Sequence, residues 1–242
     1  MSFVLRDAGS YARFRPFYSK SYFVINYQKM TVLRESLISV IKRARLPEVI
    51  QDTDLSHLIT GTPARRHNLV KRALAKGDLL QIRRGLYTLS ELYRNKRVHP
   101  FQLAQWIYGP SYISFESALS YWELIPEAVH TVTSGTSRRS KEFQTPLGRY
   151  AFVRIPFPPL YAGVKRIVDG GALFFMAKPL RALADYVYVS RKDWTLRSLA
   201  DFLRMEDLPS VDSKTAFEMR RIYDHRRVRR FIDSCLELTD GH

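Results

Sequence analysis

"TPARRHNLVKRALAKGDLLQIRRGLYTL", residues 62–89, decides how this chain is read. Thr62 can cap a helix, and Pro63 suits the first helical position, where an N–H would have no partner. The helix so started runs to about Lys76, and Gly77 stops it. At roughly 100° per residue, Val70, Ala73 and Leu74 form its inner face, while Arg65, Asn68, Lys71 and Arg72 project outward. Arg66 falls nearer the apolar side and His67 at its edge, which suits phosphate-contacting or structural roles before base reading. After Gly77, residues 79–82 and 86–89 read as two short strands. They are joined through Arg83, Arg84 and Gly85, the glycine supplying the positive φ of a tight turn. Seven Lys and Arg face a single acid, Asp78, across the 28 residues, so the stretch is basic rather than mixed in sign.

Working outward, Val32, Leu33, Leu37, Val40 and Ile41 recur at helical spacing, predicting a first helix over 30–45 that ends before Pro47. "DTDLSHLITG", 52–61, predicts a second: acids open it, Leu55, Leu58 and Ile59 share a face, and Gly61 closes it. Two apolar helices, a basic third and a hairpin make a winged helix-turn-helix. In that arrangement the third helix enters the major groove, where Arg reads guanine and Asn reads adenine, and the wing tip meets phosphate or the minor groove. The DNA-binding set is then Thr62, Arg65, Arg66, Asn68, Lys71, Arg72, Arg83, Arg84 and Tyr87. A basic face that is merely solvated, or a winged helix that docks protein, is the plainer alternative. The agreement of cap, helix order, wing and charge on one surface favours DNA.

The whole chain fits that expectation. It has 242 residues, 45% of them hydrophobic, enough to bury a core, and a net charge of +16, which draws a protein to polyanions. Residues 30–98 carry fourteen basic and six acidic residues, half the net charge in under a third of the length. "YRNKRVHP", 93–100, is polar, basic and closed by proline, and marks a boundary between a small basic domain at 30–98 and a larger one at 99–242. Residues 1–29 are aromatic and basic without clear periodicity. They are either a disordered extension or the product of a start codon set too far upstream, and both readings stay open. No apolar run is long enough to span a bilayer and no signal-peptide core is present, so a cytoplasmic home is expected. The one cysteine, Cys235, forms neither an internal disulfide nor a zinc knuckle and reads as core.

In the larger region, Phe115, Ala118, Leu119 and Trp122 follow a helical apolar pattern after Ser114, a candidate cap. Residues 128–176 turn strand-rich, and a small antiparallel sheet is expected there. Helices return over 179–188, 195–204 and 215–238, making the whole chain α+β. In the last helix Val228, Phe231, Ile232 and Cys235 form one stripe; Arg226, Arg229 and Arg230 lie opposite, with Arg227 beside them. These four arginines are either a solvated face or a second surface for DNA or RNA.

"RRGLYTL", "HPFQLAQWI", "SYISFESALSYWEL" and "MAKPLRALADYVY" stand in this order, and together they resemble the AbiEi-type antitoxins of type IV, abortive-infection toxin–antitoxin systems. The resemblance covers roughly residues 30–205, and "YISFESAL" (112–119) and "RALAD" (181–185) carry most of it. It implies a repressor that binds inverted repeats upstream of its own operon through the winged helix. It further implies a C-terminal domain that neutralises a nucleotidyltransferase toxin, a phage-defence role played without a stable antitoxin–toxin complex. Residues 1–29 have no counterpart in that pattern, and the last basic helix matches only loosely.

Enzyme readings lack their parts. There is no GxxxxGK loop, GxSxG elbow or HExxH helix, and six scattered histidines suggest no metal cluster. "SGTSRRS" is followed by bases, not by the carboxylates that nucleotide transfer needs. A restriction-nuclease-like domain would have to use Asp212-Ser213-Lys214, which falls between expected helices. The expectation is a non-enzyme with no catalytic residue, metal or cofactor. The alternatives are a nuclease with a winged-helix targeting domain and a regulator whose C-terminal region only binds protein or RNA. No extended heptad seam appears, so monomers that meet on DNA are expected.

Overall fold

The structure, a computed structural model, describes residues 36–126, 129–156, 159–206, 209, 211 and 213–239. The expectations for residues 1–29 and for the first turns of the 30–45 helix therefore lie outside the described residues.

The chain is mixed α and β, with a three-stranded and a six-stranded sheet. Its first part runs α1 (Leu37–Arg43), β1 (Ile50–Gln51), α2 (Asp52–Leu58), α3 (Pro63–Ala75), β2 (Leu79–Arg83) and β3 (Leu86–Leu89). Each helix start has a local cause. Ser36 Oγ accepts from the Ser39 N–H, and Thr62 Oγ1 from the Arg65 N–H. At α2 the Asp54 carboxylate accepts from the Gln51 N–H, 2.8 Å away. Each satisfies a donor that the helix geometry leaves free. Gly77, at φ +72°, follows α3 as expected. β1 pairs antiparallel with β3 and β3 with β2, giving the order β1-β3-β2. The two-residue β1 escaped the sequence reading because Ile50–Gln51 is too short to show alternation. Leu37, Ile41, Ile50, Leu55, Val70, Ala73, Leu79 and Tyr87 enclose a first apolar core.

The second part contains α4 (Pro100–Ile107), β4 (Ser111–Ile113), α5 (Phe115–Tyr121), β5 (Thr131–Thr136), β6 (Lys141–Thr145), β7 (Gly148–Arg154), β8 (Val164–Asp169) and β9 (Ala172–Ala177). It ends with α6 (Pro179–Ser190), α7 (Leu196–Phe202), α8 (Ser213–Ile222) and α9 (Arg226–Thr239). The sheet order is β6-β7-β5-β4-β9-β8. It is not antiparallel throughout, as expected, but mixed: β5 runs parallel to β7, and β4 parallel to β9. There are two causes: β7 inserts between β5 and the edge strand β6, and β4, three residues hidden ahead of a helix in "SYISFES", slips between β5 and β9. All three β4 residues are buried, as a strand covered on both faces must be. Phe101 of α4 meets Phe174 of β9 edge to face, and α6 covers the side on which Tyr112 points.

The last expected helix, 215–238, is in fact two. α8 and α9 are interrupted at Tyr223, Asp224 and His225, and the apolar spacing slips there too, with no apolar residue from 224 to 227. One tertiary and two local bonds hold it open: the Tyr223 hydroxyl is drawn to Asp185, the Arg229 Nε donates to the Tyr223 carbonyl at 3.0 Å, and the Arg229 guanidinium pairs with Asp224 at 3.1 Å. The stripe Val228, Phe231, Ile232 and Cys235 is fully buried as expected. The two parts also share a core. Val49, Ile82 and Leu86 belong to the larger cluster, so the β2–β3 hairpin packs on α3 with one face and on the second part with the other.

Candidate nucleic-acid interface

The outward residues of α3 fall into two groups. Asn68, Lys71 and Arg72 are exposed, and so is His67. Arg65 is half-buried, its Cδ lying 3.2 Å from where a Cβ on Gly61 would stand. Gly61 has φ +108°, so glycine there serves both the turn and the passage of this arginine. Arg66 turns back toward α2, 3.9 Å from the Asp52 carboxylate. Thr62 is exposed, and its hydroxyl is spent on the cap.

The hairpin expected as a wing is tied to its neighbours on both sides of the turn. Asp52 donates its N–H to the Gly85 carbonyl at 3.0 Å, which ties the turn to the start of α2. Arg83 Nη2 donates to the Trp106 carbonyl at the end of α4, 3.3 Å away, and the Arg84 side chain is exposed at the tip. Tyr87 is buried in the first core. Its hydroxyl pKa is raised by burial and then by the Asp52 charge, against a lowering hydrogen bond from the Gly85 backbone. Of the expected set, Thr62, Asn68, Lys71, Arg72, Arg83 and Arg84 are exposed, Arg65 and Arg66 are half-buried and Tyr87 is buried.

The four arginines of α9 also separate. Arg229 is held by Tyr223 and Asp224, as above. Arg226, Arg227 and Arg230 join Arg191, Asp193 and His225 around a shallow surface pocket of about 330 Å³. Arg191, at the αL residue that ends α6, was not anticipated, because it lies 35 positions before Arg226 and only the packing of α6 on α9 unites them.

The two motifs that carry the resemblance meet in the interior, away from any of these surfaces. Arg181 and Asp185 of α6, Tyr112 of β4, Ser114 and Tyr223 are all buried. Arg181 Nε donates to Asp185 Oδ1 at 3.2 Å, its Nη1 to the Ala162 carbonyl at 2.9 Å, and its Nη2 to the Tyr112 hydroxyl at 2.7 Å. The Tyr112 and Ser114 hydroxyls donate to Asp185 Oδ2 at 2.8 and 2.6 Å, and Tyr223 donates to Oδ1. Burial, then the Asp185 charge, pushes both tyrosines well above the ordinary phenol range. Burial alone would lower the Arg181 pKa, but Asp185, then Tyr223 and Tyr112, raise it overall. Ser114, expected as a helix cap by its side chain, spends that side chain on Asp185 instead. "YISFESAL" and "RALAD" are thus linked as a folding constraint, a buried pair whose donors and acceptors are satisfied.

Asp212 of the nuclease alternative lies outside the described residues, and Ser213 and Lys214 open α8. Among the described residues no group of three His, Cys, Asp or Glu side chains converges as a metal site would, and no helix is long and apolar enough to cross a membrane. Compared with known proteins, the chain matches no family model and no curated sequence.

Proposed function

We propose that residues 36–98 form a winged helix-turn-helix that binds double-stranded DNA, and that the protein is a transcriptional autorepressor and antitoxin of a type IV, abortive-infection system. One observation carries the DNA-binding half. A capped helix, packed on two others and on a three-stranded sheet, turns Asn68, Lys71 and Arg72 to solvent. Asn and Arg at the exposed front of such a helix are the side chains that read adenine and guanine in the major groove. The antitoxin half rests on the resemblance alone: a partner nucleotidyltransferase toxin, countered without a stable complex, through residues of the C-terminal region yet to be assigned. No catalytic step or cofactor enters this reading, and the cytoplasm is where it would act.

Binding to the region upstream of its own gene tests the first half. Arg72→Ala should weaken binding by about 1–3 kcal/mol at one base position, whereas Arg84→Ala should weaken binding to all sequences alike. Unchanged affinity in both variants would remove the groove-facing arrangement. Co-expression of the full chain with a neighbouring nucleotidyltransferase tests the second half, and absence of growth rescue would end the antitoxin reading. A second reading, a C-terminal region that binds RNA, is favoured by the arginine-lined pocket at the start of α9. Crosslinking to RNA lost on Arg226→Ala/Arg230→Ala would support it.

A further inference from the structure

The end of α4 is clasped from two sides by cations that are far apart in sequence. From the hairpin, Arg83 Nη2 donates to the Trp106 carbonyl. From the β5–β6 turn, Arg138 Nη1 donates to the Gly109 carbonyl at 3.1 Å, its guanidinium lying 4.9 Å over the Tyr108 ring. The Tyr108 hydroxyl in turn donates to the Arg139 carbonyl at 3.2 Å. Strands β2 and β6 also approach within 8 Å between Cα atoms. The carbonyls at a helix C-terminus carry partial negative charge, which accounts for Arg83 and Arg138. It does not account for Arg84, Arg139 and Lys141, which stay exposed on either side of that helix end, and none of the three is ion-paired among the described residues.

We propose that the β5–β6 turn is a second arm of the DNA interface, with Arg139 and Lys141 contacting the phosphates of duplex DNA beside those met by Arg84. The inference rests on the DNA-binding reading above and extends it into the C-terminal region. The arrangement fits a duplex backbone. A helix end is only about 10 Å across, and the hairpin and the β5–β6 turn both bond to this one, so Arg84, Arg139 and Lys141 sit on turns gathered at a single helix terminus. A single strand would call for free aromatic platforms. The rings nearby, Tyr108 and Phe143, are half-buried, and Arg138 and Lys141 lie over them at 4.9 Å each. Contacts of this kind position a protein on DNA without reading sequence.

The test uses the purified full chain and two duplexes, one from the region upstream of its own coding sequence and one scrambled, titrated with salt. Arg139→Ala/Lys141→Ala should weaken binding to both duplexes and make the slope of log K against log salt shallower by about 1.8, two phosphate contacts at about 0.9 each. Arg139→Lys/Lys141→Arg should keep the wild-type slope, because point charges suffice at phosphates. An unchanged slope in the double-alanine variant, with Arg72→Ala still weakening binding, overturns the second arm and leaves the DNA-binding reading standing. Failure of the wild-type chain to bind either duplex at low salt overturns both. Both side chains are exposed, and an unaltered melting temperature separates loss of contact from loss of fold.

Discussion

Asp185 is the residue on which the second part of the molecule turns. Its two oxygens accept from Arg181, Tyr112, Ser114 and Tyr223, and the pair it makes with Arg181 is fully buried. Removing one partner leaves a buried charge without its counterpart, so Asp185→Ala should cost about 3–5 kcal/mol, measured by urea unfolding. A loss under 1 kcal/mol would mean the network is not what holds α6 on β4. Gly135 guards the same network, since a Cβ there would lie 2.4 Å from the Tyr112 ring. Gly135→Ala should therefore lower the melting temperature although it adds one methyl to a strand. Titration gives a further check. Burial raises Tyr150 from 10.0 to about 12 and Cys235 from 9.0 to about 12. The unfolded chain loses these protons first as pH rises. The stability they contribute is whole below pH 9, declines between pH 9 and 12, and is gone above it. Tyr150→Phe should flatten that alkaline decline in unfolding curves taken from pH 8 upward, and an identical decline would show that other groups set it.

At the scale of elements, α3 shows how local chemistry suffices for a boundary. Thr62, Pro63 and Gly77 are read from the sequence and found in those roles, because a cap bond and a positive φ involve only neighbouring residues. Thr62→Ala should cost about 1 kcal/mol and weaken DNA binding through fraying of the helix that carries Asn68, with both read on the same protein preparation. Stability lost without any change in affinity would argue that α3 is not the reading helix. The break between α8 and α9 is the opposite case. Val228, Phe231, Ile232 and Cys235 were legible as a buried stripe from their spacing, but the interruption at 223–225 is fixed in part by the bond from Tyr223 to Asp185, 38 residues away, which no local pattern announces. The candidate site divides the same way. Asn68, Lys71 and Arg72 could be chosen by periodicity, whereas the burial of Tyr87 in the first core and the bond that turns the exposed Arg83 to the Trp106 carbonyl depend on the packing.

For the whole molecule, the consequence is that the two parts are coupled through the hairpin. Val49, Ile82 and Leu86 bury their side chains in the larger core, so a fragment of residues 1–98 would expose them to water. Full-length protein should melt in a single calorimetric transition, and the fragment should melt earlier and bind a hydrophobic dye. Two separate transitions in the full chain would show instead that the shared core is too small to join them. Ile82→Ala should cost about 2–5 kcal/mol, as truncation of a buried aliphatic does.

Charge balance, caps, turn glycines and the periods of 2 and 3.6 are properties of neighbouring residues, and they were enough to set out the three helices, the hairpin, the strand-rich stretch at 128–176 and the basic face of α3. What depends on residues distant in the chain was open until the fold brought them together. The mixed sheet needed β4 to meet β9 some sixty residues on, the buried pair needed β4 to meet α6, and the basic turn 137–141 acquired a place beside the hairpin only because both dock on the end of α4. Periodicity says which face of an element is apolar; which other face it meets is chosen by the packing of the whole chain.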